Sequence, residues 1–302
     1  MWTSHAPWGP STGVASSDHF VPEGRKGRAR PGAAYSALVG SVASAALPTA
    51  LRSLAYRAFA RAVGANLDET ELALGEYPSL GDFFARKLRH GARIVDPAAD
   101  AIASPCDGVL AARGTCVDGA MVQAKGRTYS LEDLVLDADL ARSLTGGAYA
   151  TIYLSPRDYH RVHTPLGGRI TRYDYLPGTL WPVNRWATNR REGLLVRNER
   201  VVIHLNADGI GDVAVVMVGA AGVGNIRLAH APDSAEFRGS GERRSIERND
   251  RVERGDELGA FRLGSTVVLV FPPGKATLSG EVGQPVRFGE RIGLVSAAGG
   301  GA

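Results

Sequence analysis

The sequence predicts an α+β fold that is predominantly β, with N-terminal helices followed by an antiparallel, sheet-rich domain of sandwich or barrel-like form. Before about residue 101, apolar residues recur at helical spacing. After it, short β-rich runs alternate with Gly and Pro, and most gaps are too short for the crossover helices of a parallel sheet. The eight runs are residues 108–112, 148–154, 169–175, 200–205, 213–218, 257–262, 266–271 and 291–295.

The chain is predicted to divide into a leader with a basic helix, residues 1–66, and a sheet-rich domain, residues 67–302. Residues 1–32 are rich in Gly, Pro, Ser and Arg without periodicity, which is typical of a disordered leader. Residues 31–51 carry no charge, and their length could span a bilayer. Their high content of Ala, Ser and Gly, with prolines near both ends, nevertheless makes insertion into a bilayer marginal.

The segment 51–63 predicts a basic amphipathic helix. Three arginines, Arg52, Arg57 and Arg61, surround an apolar face. Such a helix either packs on the core of its own protein or lies on a membrane surface. The predicted apolar face consists of Leu51, Leu54, Ala55, Ala58, Phe59 and Ala62.

Two further helices are predicted before the sheet-rich domain. A short acidic segment at 68–74 predicts the first. The second covers residues 79–88, where apolar residues recur at helical spacing and Ser79 stands as a possible N-cap.

The positive charge of the chain is concentrated at the N-terminus. The 302 residues contain 35 Lys and Arg against 31 Asp and Glu. Residues 1–66 hold seven of the basic and two of the acidic side chains, so the remainder, with 28 basic and 29 acidic, is nearly neutral. This distribution excludes a general nucleic-acid-binding surface and favours contact of the N-terminus with an anionic interface.

The cysteine count indicates a reduced, cytosol-facing protein. The two cysteines, Cys106 and Cys116, are too few for a disulfide framework and have no metal-finger spacing. The first twenty residues also lack the basic and apolar pattern of a secretory signal.

Three short motifs carry reactive side chains. Asp107 stands in a Pro-x-Asp-Gly sequence, which is by default a turn. His160 and His163 are three residues apart, and their spacing suggests a metal site, but no third ligand follows at suitable spacing. Acid–base work is therefore the favoured function of the pair. Ser265 follows Gly264 at the start of a strongly apolar run.

Together, Asp107, His163 and Ser265 supply the acid, base and nucleophile of a catalytic triad. Gly264 leaves its own carbonyl sterically open to attack by the Ser265 hydroxyl. No Gly-x-Ser-x-Gly elbow is present, which disfavours an α/β-hydrolase.

Eight collinear motifs between about residues 79 and 295 resemble the phosphatidylserine decarboxylase proenzyme family. They are the Phe-Phe-x-Arg-x-Leu segment of 79–88, Pro-Cys-Asp-Gly at 105–108, Lys-Gly-Arg-Thr-Tyr-Ser-Leu at 125–131, Tyr-His-Arg-Val-His at 159–163, Leu-Trp-Pro-Val-Asn at 180–184, Arg-Asn-Glu-Arg at 197–200, Val-Gly-Ala-Ala-Gly-Val-Gly at 218–224 and Leu-Gly-Ser-Thr at 263–266.

The resemblance implies a precursor that cuts itself between Gly264 and Ser265 into a β chain, residues 1–264, and an α chain, residues 265–302. Asp107 would orient His163, and His163 would take the proton from Ser265. An N-to-O acyl shift, elimination to dehydroalanine and hydrolysis would then convert Ser265 into a pyruvoyl group.

The implied reaction converts phosphatidylserine to phosphatidylethanolamine and CO2 through a Schiff base with the pyruvoyl group, without metal or pyridoxal phosphate. His160 would protonate the substrate carbon, although the two histidines could share roles. The implied setting is peripheral, on the cytoplasmic face of the cell membrane, with phosphatidylserine and the anionic surface as partners and no nucleic acid. Whether the chain forms a homo-oligomer stays open.

Two alternatives accompany this hypothesis. The first keeps the pyruvoyl chemistry but acts on a different serine lipid or a free amino acid. The second is a non-catalytic barrel module of lipoyl or biotinyl type, suggested by Gly-rich turns at 255–259 and 288–293. It lacks a lysine at a hairpin tip and leaves the histidine pair unexplained.

Overall fold

The computed structural model of the protein describes residues 45–124, 127–183, 190–191, 193–220, 226–231, 242–262 and 265–296. The leader predicted for residues 1–32, most of the uncharged stretch 31–51, and Gly264 lie outside this range. Among the described residues, no helix is both long and apolar enough to cross a membrane.

Short helices and one 3₁₀ turn at Leu74–Glu76 flank or connect the strands. The helices are Thr49–Val63 (α1), Leu80–Phe84 (α2), Leu131–Val135 (α3), Ala138–Leu144 (α4) and Leu194–Arg197 (α5). At the start of α2, the Ser79 side chain accepts a hydrogen bond from the Asp82 N–H at 3.2 Å, so the predicted N-cap is confirmed.

Strands are the main type of secondary structure in the described residues, and all their ladders are antiparallel. They are Ala101–Ala103 (β1), Gly108–Thr115 (β2), Ala120–Ala124 (β3), Arg127–Ser130 (β4), Ala148–Leu154 (β5), Arg161–His163 (β6), Gly168–Leu176 (β7), Arg200–Ala207 (β8), Gly211–Gly219 (β9), Arg227–Leu228 (β10), Arg244–Val252 (β11), Glu257–Ala260 (β12), Ser265–Val270 (β13), Ala276–Leu278 (β14), Pro285–Val286 (β15) and Arg291–Val295 (β16).

The main sheet has eight strands in the order β11-β7-β8-β9-β13-β5-β2-β15, and two three-stranded sheets, β1-β16-β14 and β10-β12-β6, accompany it. The sheet is open, with β11 and β15 at its edges. The α+β, predominantly β prediction is confirmed, and each of the eight predicted runs contains a strand.

The main sheet separates two hydrophobic cores, one on each face, so its central strands carry apolar side chains on both sides. Along β13, Val267 and Leu269 belong to one core, while Val268 and Val270 belong to the other. Strand β13 lies between β9 and β5 and is buried along its whole length. The first residue of this central strand is Ser265.

Helix α1 forms where the amphipathic pattern predicts it, but only part of the predicted apolar face is packed: the Phe59 ring lies 6.3 Å from that of Phe83 and 5.2 Å from that of Phe84. Tyr56 and Ala60 are buried, and the Tyr56 ring stacks on Phe83 with 5.0 Å between centroids. The Tyr56 hydroxyl donates to the Tyr77 carbonyl at 3.0 Å. In contrast, Leu51 and Leu54 of the predicted apolar face are 54% and 70% exposed. The aromatic anchor of Tyr56 explains the difference, since this ring offers more apolar area than the leucines.

The acidic helix predicted at 68–74 is wrong. Its backbone pairs instead with the segment that follows α2. The Glu71 N–H donates to the Lys87 carbonyl at 3.0 Å, and the Arg89 N–H donates to the Glu69 carbonyl at 2.9 Å. These long-range hydrogen bonds outweigh a weak local helical preference.

Candidate active site

Ser265 is fully buried at the start of the central strand. Its ladder partners are Leu154 on β5 and Gly219 on β9. The Ser265 Oγ has no hydrogen-bond partner among the described residues. A buried hydroxyl without a partner is unfavourable in a purely structural position, so this atom is a candidate reacting group.

His160 lies in the turn between β5 and β6 and is fully buried. Its Nε2 is 3.0 Å from the Ser155 carbonyl oxygen, which assigns the ring proton to Nε2. Its Nδ1 is buried and has no partner among the described residues. Burial, with the Arg86 cation nearby, lowers the pKa of His160 to about 3. The imidazole is therefore neutral at physiological pH, with a free lone pair on Nδ1.

The chain places His160 close to Ser265. The strand partner of Ser265 is Leu154, and the next residue, Ser155, accepts the hydrogen bond from His160. The Phe261 N–H also donates to the His160 carbonyl at 2.9 Å, four residues before Ser265. The loop into β13 and the turn out of β5 therefore hold the two residues in one neighbourhood.

His163 ends β6 and is engaged at both ring nitrogens. Its Nδ1 donates to the Gly255 carbonyl at 2.8 Å, and its Nε2 accepts from the Tyr159 hydroxyl at 3.0 Å. The ring stacks on Phe288 with 3.7 Å between centroids. Burial lowers the pKa of His163 to about 4, so this ring is also neutral at physiological pH.

Asp107 is buried in the turn between β1 and β2. Arg93 binds both of its oxygens, with Nε–Oδ1 at 3.0 Å and Nη2–Oδ2 at 2.5 Å. The Phe288 N–H donates to Oδ1 at 2.8 Å. Arg93 also binds Glu69 at 2.9 Å, and these carboxylates raise the pKa of Arg93 although burial opposes the shift.

The sequence-predicted residues thus lie in two adjoining groups. Asp107 and His163 both contact Phe288, the first through its backbone and the second through its ring. Ser265 and His160 lie together at the end of β5. In the described part of the chain, Asp107, His163 and Ser265 form no hydrogen bonds to one another, and Gly264 is outside it.

Sequence reasoning missed three contributors to this region. Tyr159 lies inside the Tyr-His-Arg-Val-His motif, so its position gave a usable signal. Arg93 and Phe288 carry no motif of their own, and only the tertiary structure brings them to Asp107 and His163.

One group in the described residues has side chains that could hold a metal ion: Asp137, Asp174 and His204. Arg172 lies among them, because its guanidinium contacts both aspartates and His204. The charge of these carboxylates is therefore already compensated, and the group does not point to a metal.

The comparison with protein families decides the assignment. The model of the phosphatidylserine decarboxylase family matches residues 80–294, which include all four candidate residues. The chain belongs to this family. The phosphatidylserine decarboxylase proenzyme of Anaeromyxobacter sp. (strain K) is 44% identical over 271 residues, covering 88% of this chain and 95% of the relative.

Two further relatives of the same name support the family assignment. The proenzyme of Myxococcus xanthus (strain DK1622) is 39% identical over 88% of this chain and 95% of its own length. That of Brevibacillus brevis (strain 47 / JCM 6285 / NBRC 100599) is 41% identical over 66% of this chain and 72% of its own length. The alignments therefore cover nearly the whole length of the first two relatives.

Proposed function

We propose that this chain is a self-processing, pyruvoyl-dependent decarboxylase that converts phosphatidylserine to phosphatidylethanolamine and CO2. The observation that carries the proposal is the family match over residues 80–294, within which Ser265 begins the buried central strand. Relatives that bear the name phosphatidylserine decarboxylase proenzyme share up to 44% of their residues with this chain in the alignments.

Self-processing begins at Ser265. Its Oγ forms a bond to the Gly264 carbonyl carbon while a histidine takes the hydroxyl proton, and the carbon–nitrogen bond then breaks to leave an ester. Elimination then transfers the Ser265 Cα proton to a base and breaks the Cβ–O bond, which frees the Gly264 carboxylate and leaves dehydroalanine. Water finally releases the nitrogen as ammonia, and the pyruvoyl group remains at the start of β13.

We assign the proton transfer from Ser265 to His163, with Asp107 as the residue that stabilises the charged imidazole. Two observations support a base role: His163 is neutral because its pKa is lowered, and its Nε2 lone pair already accepts a hydroxyl proton, that of Tyr159. Transfer from Ser265 requires Tyr159 either to give up this hydrogen bond or to relay the proton.

The residues present fit a pyruvoyl group, because the buried Ser265 hydroxyl from which it would form has no other partner among the described residues. The group would supply an electron sink for the carbanion that loss of CO2 leaves. His160 would first accept a proton from the substrate ammonium at Nδ1, the nitrogen without a hydrogen-bond partner among the described residues, and would then deliver it to this carbon. The buried surroundings of Ser265 would exclude bulk water during this step.

We also propose peripheral attachment to an anionic membrane, at the cytoplasmic face, through α1. Leu51, Leu54 and Ala58 lie on one exposed side of this helix, and the exposed Arg57 and Arg61 flank them. The opposite side packs on the protein through Tyr56. An apolar strip with flanking cations suits the boundary between head groups and acyl chains of an anionic bilayer.

The test combines an intact-mass measurement under denaturing conditions with an assay of phosphatidylethanolamine formation. We expect two species, residues 1–264 and a pyruvoyl-terminated 265–302, together with conversion of phosphatidylserine. Ser265→Ala should give one uncleaved species without activity. A wild-type chain that stays intact, or normal cleavage of Ser265→Ala, would contradict the proposal.

A further inference from the structure

A polar cavity of about 250 Å³ opens beside Asp107 and Tyr159. At about 30 Å³ for each water molecule, it has room for roughly eight waters. That is enough for a small hydrated anion and too little for an acyl chain. Four arginines line the cavity: Arg86, Arg93, Arg157 and Arg287.

Arg86 is the unusual member of this set, because it is 4% exposed and has no carboxylate in ion-pair contact among the described residues. Its guanidinium donates to backbone carbonyls, those of Phe83, Arg157 and Asp158, at 3.3 to 3.5 Å, and lies 5.1 Å from the centroid of the Phe83 ring. Its Nε has no hydrogen-bond partner among the described residues. A buried cation without a direct ion-pair partner is costly, so an anion bound beside Arg86 would be stabilised.

The carboxylates of the cavity do not fill this need. Arg93 forms ion pairs with both Asp107 and Glu69, at 2.5 and 2.9 Å. Asp158 accepts hydrogen bonds from the backbone and hydroxyl of Ser155, both at 2.7 Å. The cavity lining thus holds four arginines against three carboxylates, and the exposed Arg157, 3.7 Å from Asp158, and the exposed Arg287 lie at its rim.

The cavity is also close to the candidate nucleophile. Gly108, on its wall, precedes Val109, whose strand partner on β5 is Tyr153, the residue before Leu154. Gly108 and Ser265 thus lie on either side of β5, two strand spacings or about 10 Å apart. The amine and the phosphorus of a phosphoserine head group are four bonds apart, about 5 Å when extended.

We propose that this cavity binds a phosphate-type anion between Arg86 and the rim arginines Arg157 and Arg287. If the proposed function holds, the anion is the phosphodiester of the lipid head group, with the serine amine directed toward Ser265. A free inorganic phosphate would satisfy the same donors, because guanidinium groups bind both forms through paired hydrogen bonds.

Isothermal titration calorimetry of inorganic phosphate into the full chain at fixed salt tests binding directly and needs no activity. We expect Arg86→Gln to weaken phosphate binding at least about tenfold, because it removes the buried cation. Arg287 is exposed at the rim, so Arg287→Ala should fold normally, and we expect it to weaken phosphate binding by about threefold or more. The matched control is Arg251→Ala, an exposed arginine whose partner is Asp208, outside the cavity.

Assays with short-chain phosphatidylserine separate the two sources of the anion. Competitive inhibition by phosphate, with a raised KM and unchanged kcat in Arg287→Ala, assigns the site to the head group. Phosphate binding without competition assigns it to a free anion. Absence of phosphate binding, or equal affinity in wild type, Arg86→Gln and Arg287→Ala, overturns the inference. Phosphate binding without any conversion of phosphatidylserine would contradict the proposed function but not the anion site.

Discussion

The two histidines differ in what their ring nitrogens do, and this difference predicts separate functions. His160 has a free Nδ1, whereas both nitrogens of His163 are engaged. We expect His160→Ala to be cleaved normally but to lose decarboxylation at least about 100-fold, the usual effect of removing a general acid. His163→Ala should stay uncleaved.

Denaturing electrophoresis follows cleavage, and phosphatidylethanolamine formation follows activity. The informative comparison is between the two variants, because each is the control for the other. Equal loss of cleavage in both would mean that the roles of the histidines are divided wrongly.

Arg93 is predicted to support the site through Asp107. Arg93→Gln leaves the buried Asp107 and the partly buried Glu69 without their counter-ion, so we expect a loss of about 3 kcal/mol in the free energy of unfolding and slower self-cleavage. Arg93→Lys keeps the charge but not the two-point contact, so its stability and cleavage rate should lie between those of wild type and Arg93→Gln. Urea denaturation in a Ser265→Ala background measures the first effect, and the cleavage half-time of the cleavable chain measures the second. A Gln variant as stable as wild type would refute the prediction.

The sequence identifies the reactive residues more readily than their partners. Asp107, His160, His163 and Ser265 stand in local motifs, so a single chain is enough to find them. Arg93 reaches Asp107 across 14 residues, and Phe288 does so across 181. Such contacts depend on how strands pair, and no local pattern encodes that pairing.

At the scale of elements, the strands that were predicted are the apolar ones. β5 and β16 agree with their predicted runs to the residue, because alternating apolar side chains and flanking turns define both ends. β11 was missed because Arg244–Val252 is mostly charged and polar. It is an edge strand with much of its surface in solvent, where charged residues are tolerated.

Helix α1 shows the limit of a periodicity argument. The pattern gives the helix and its approximate length, but the aromatic contacts of Tyr56 and Phe59 with Phe83 decide which side of the helix is packed. The other face is then left for a different partner.

The exposed face of α1 is predicted to bind anionic vesicles. Leu51→Ser combined with Leu54→Ser should weaken partition onto such vesicles at least about tenfold, because each leucine contributes on the order of 1 kcal/mol when it enters the bilayer boundary. Folding should be unaffected, since both side chains are already exposed. Vesicle sedimentation measures the partition.

The matched control is Ile94→Ser combined with Val282→Ser, two apolar residues that are 78% and 62% exposed outside α1. Equal weakening by the control pair, or none by the leucine pair, would contradict docking through α1.

For the whole molecule, the buried histidines predict a loss of stability in mild acid. His160 and His163 stay neutral in the folded state down to pH values of about 3 and 4, but in the unfolded chain they take up protons near pH 6.5. Between about pH 6.5 and 4 the unfolded state binds more protons than the folded state, so the free energy of unfolding decreases as the pH is lowered. Each histidine contributes up to about 1.4 kcal/mol per pH unit in this window.

Urea denaturation of Ser265→Ala at pH 7, 6 and 5 measures this dependence on one uncleaved chain. Adding His163→Gln should reduce the slope by about one proton. The carboxylates whose pKa values are lowered, such as Asp174, lose their contribution only below about pH 4 and do not interfere. A stability that is equal at pH 7 and pH 5 would contradict the assignment of two buried neutral rings.

The position of β13 has a consequence for the molecule after cleavage. After cleavage, the segment 265–302 would still supply the strand between β9 and β5, the edge strand β15, and β14 and β16 of a second sheet. Cleavage would therefore leave the fold unchanged, as in a split protein whose two fragments stay associated. The short fragment could leave only if the main sheet came apart at its middle, so the two polypeptides should share one unfolding transition and one lifetime.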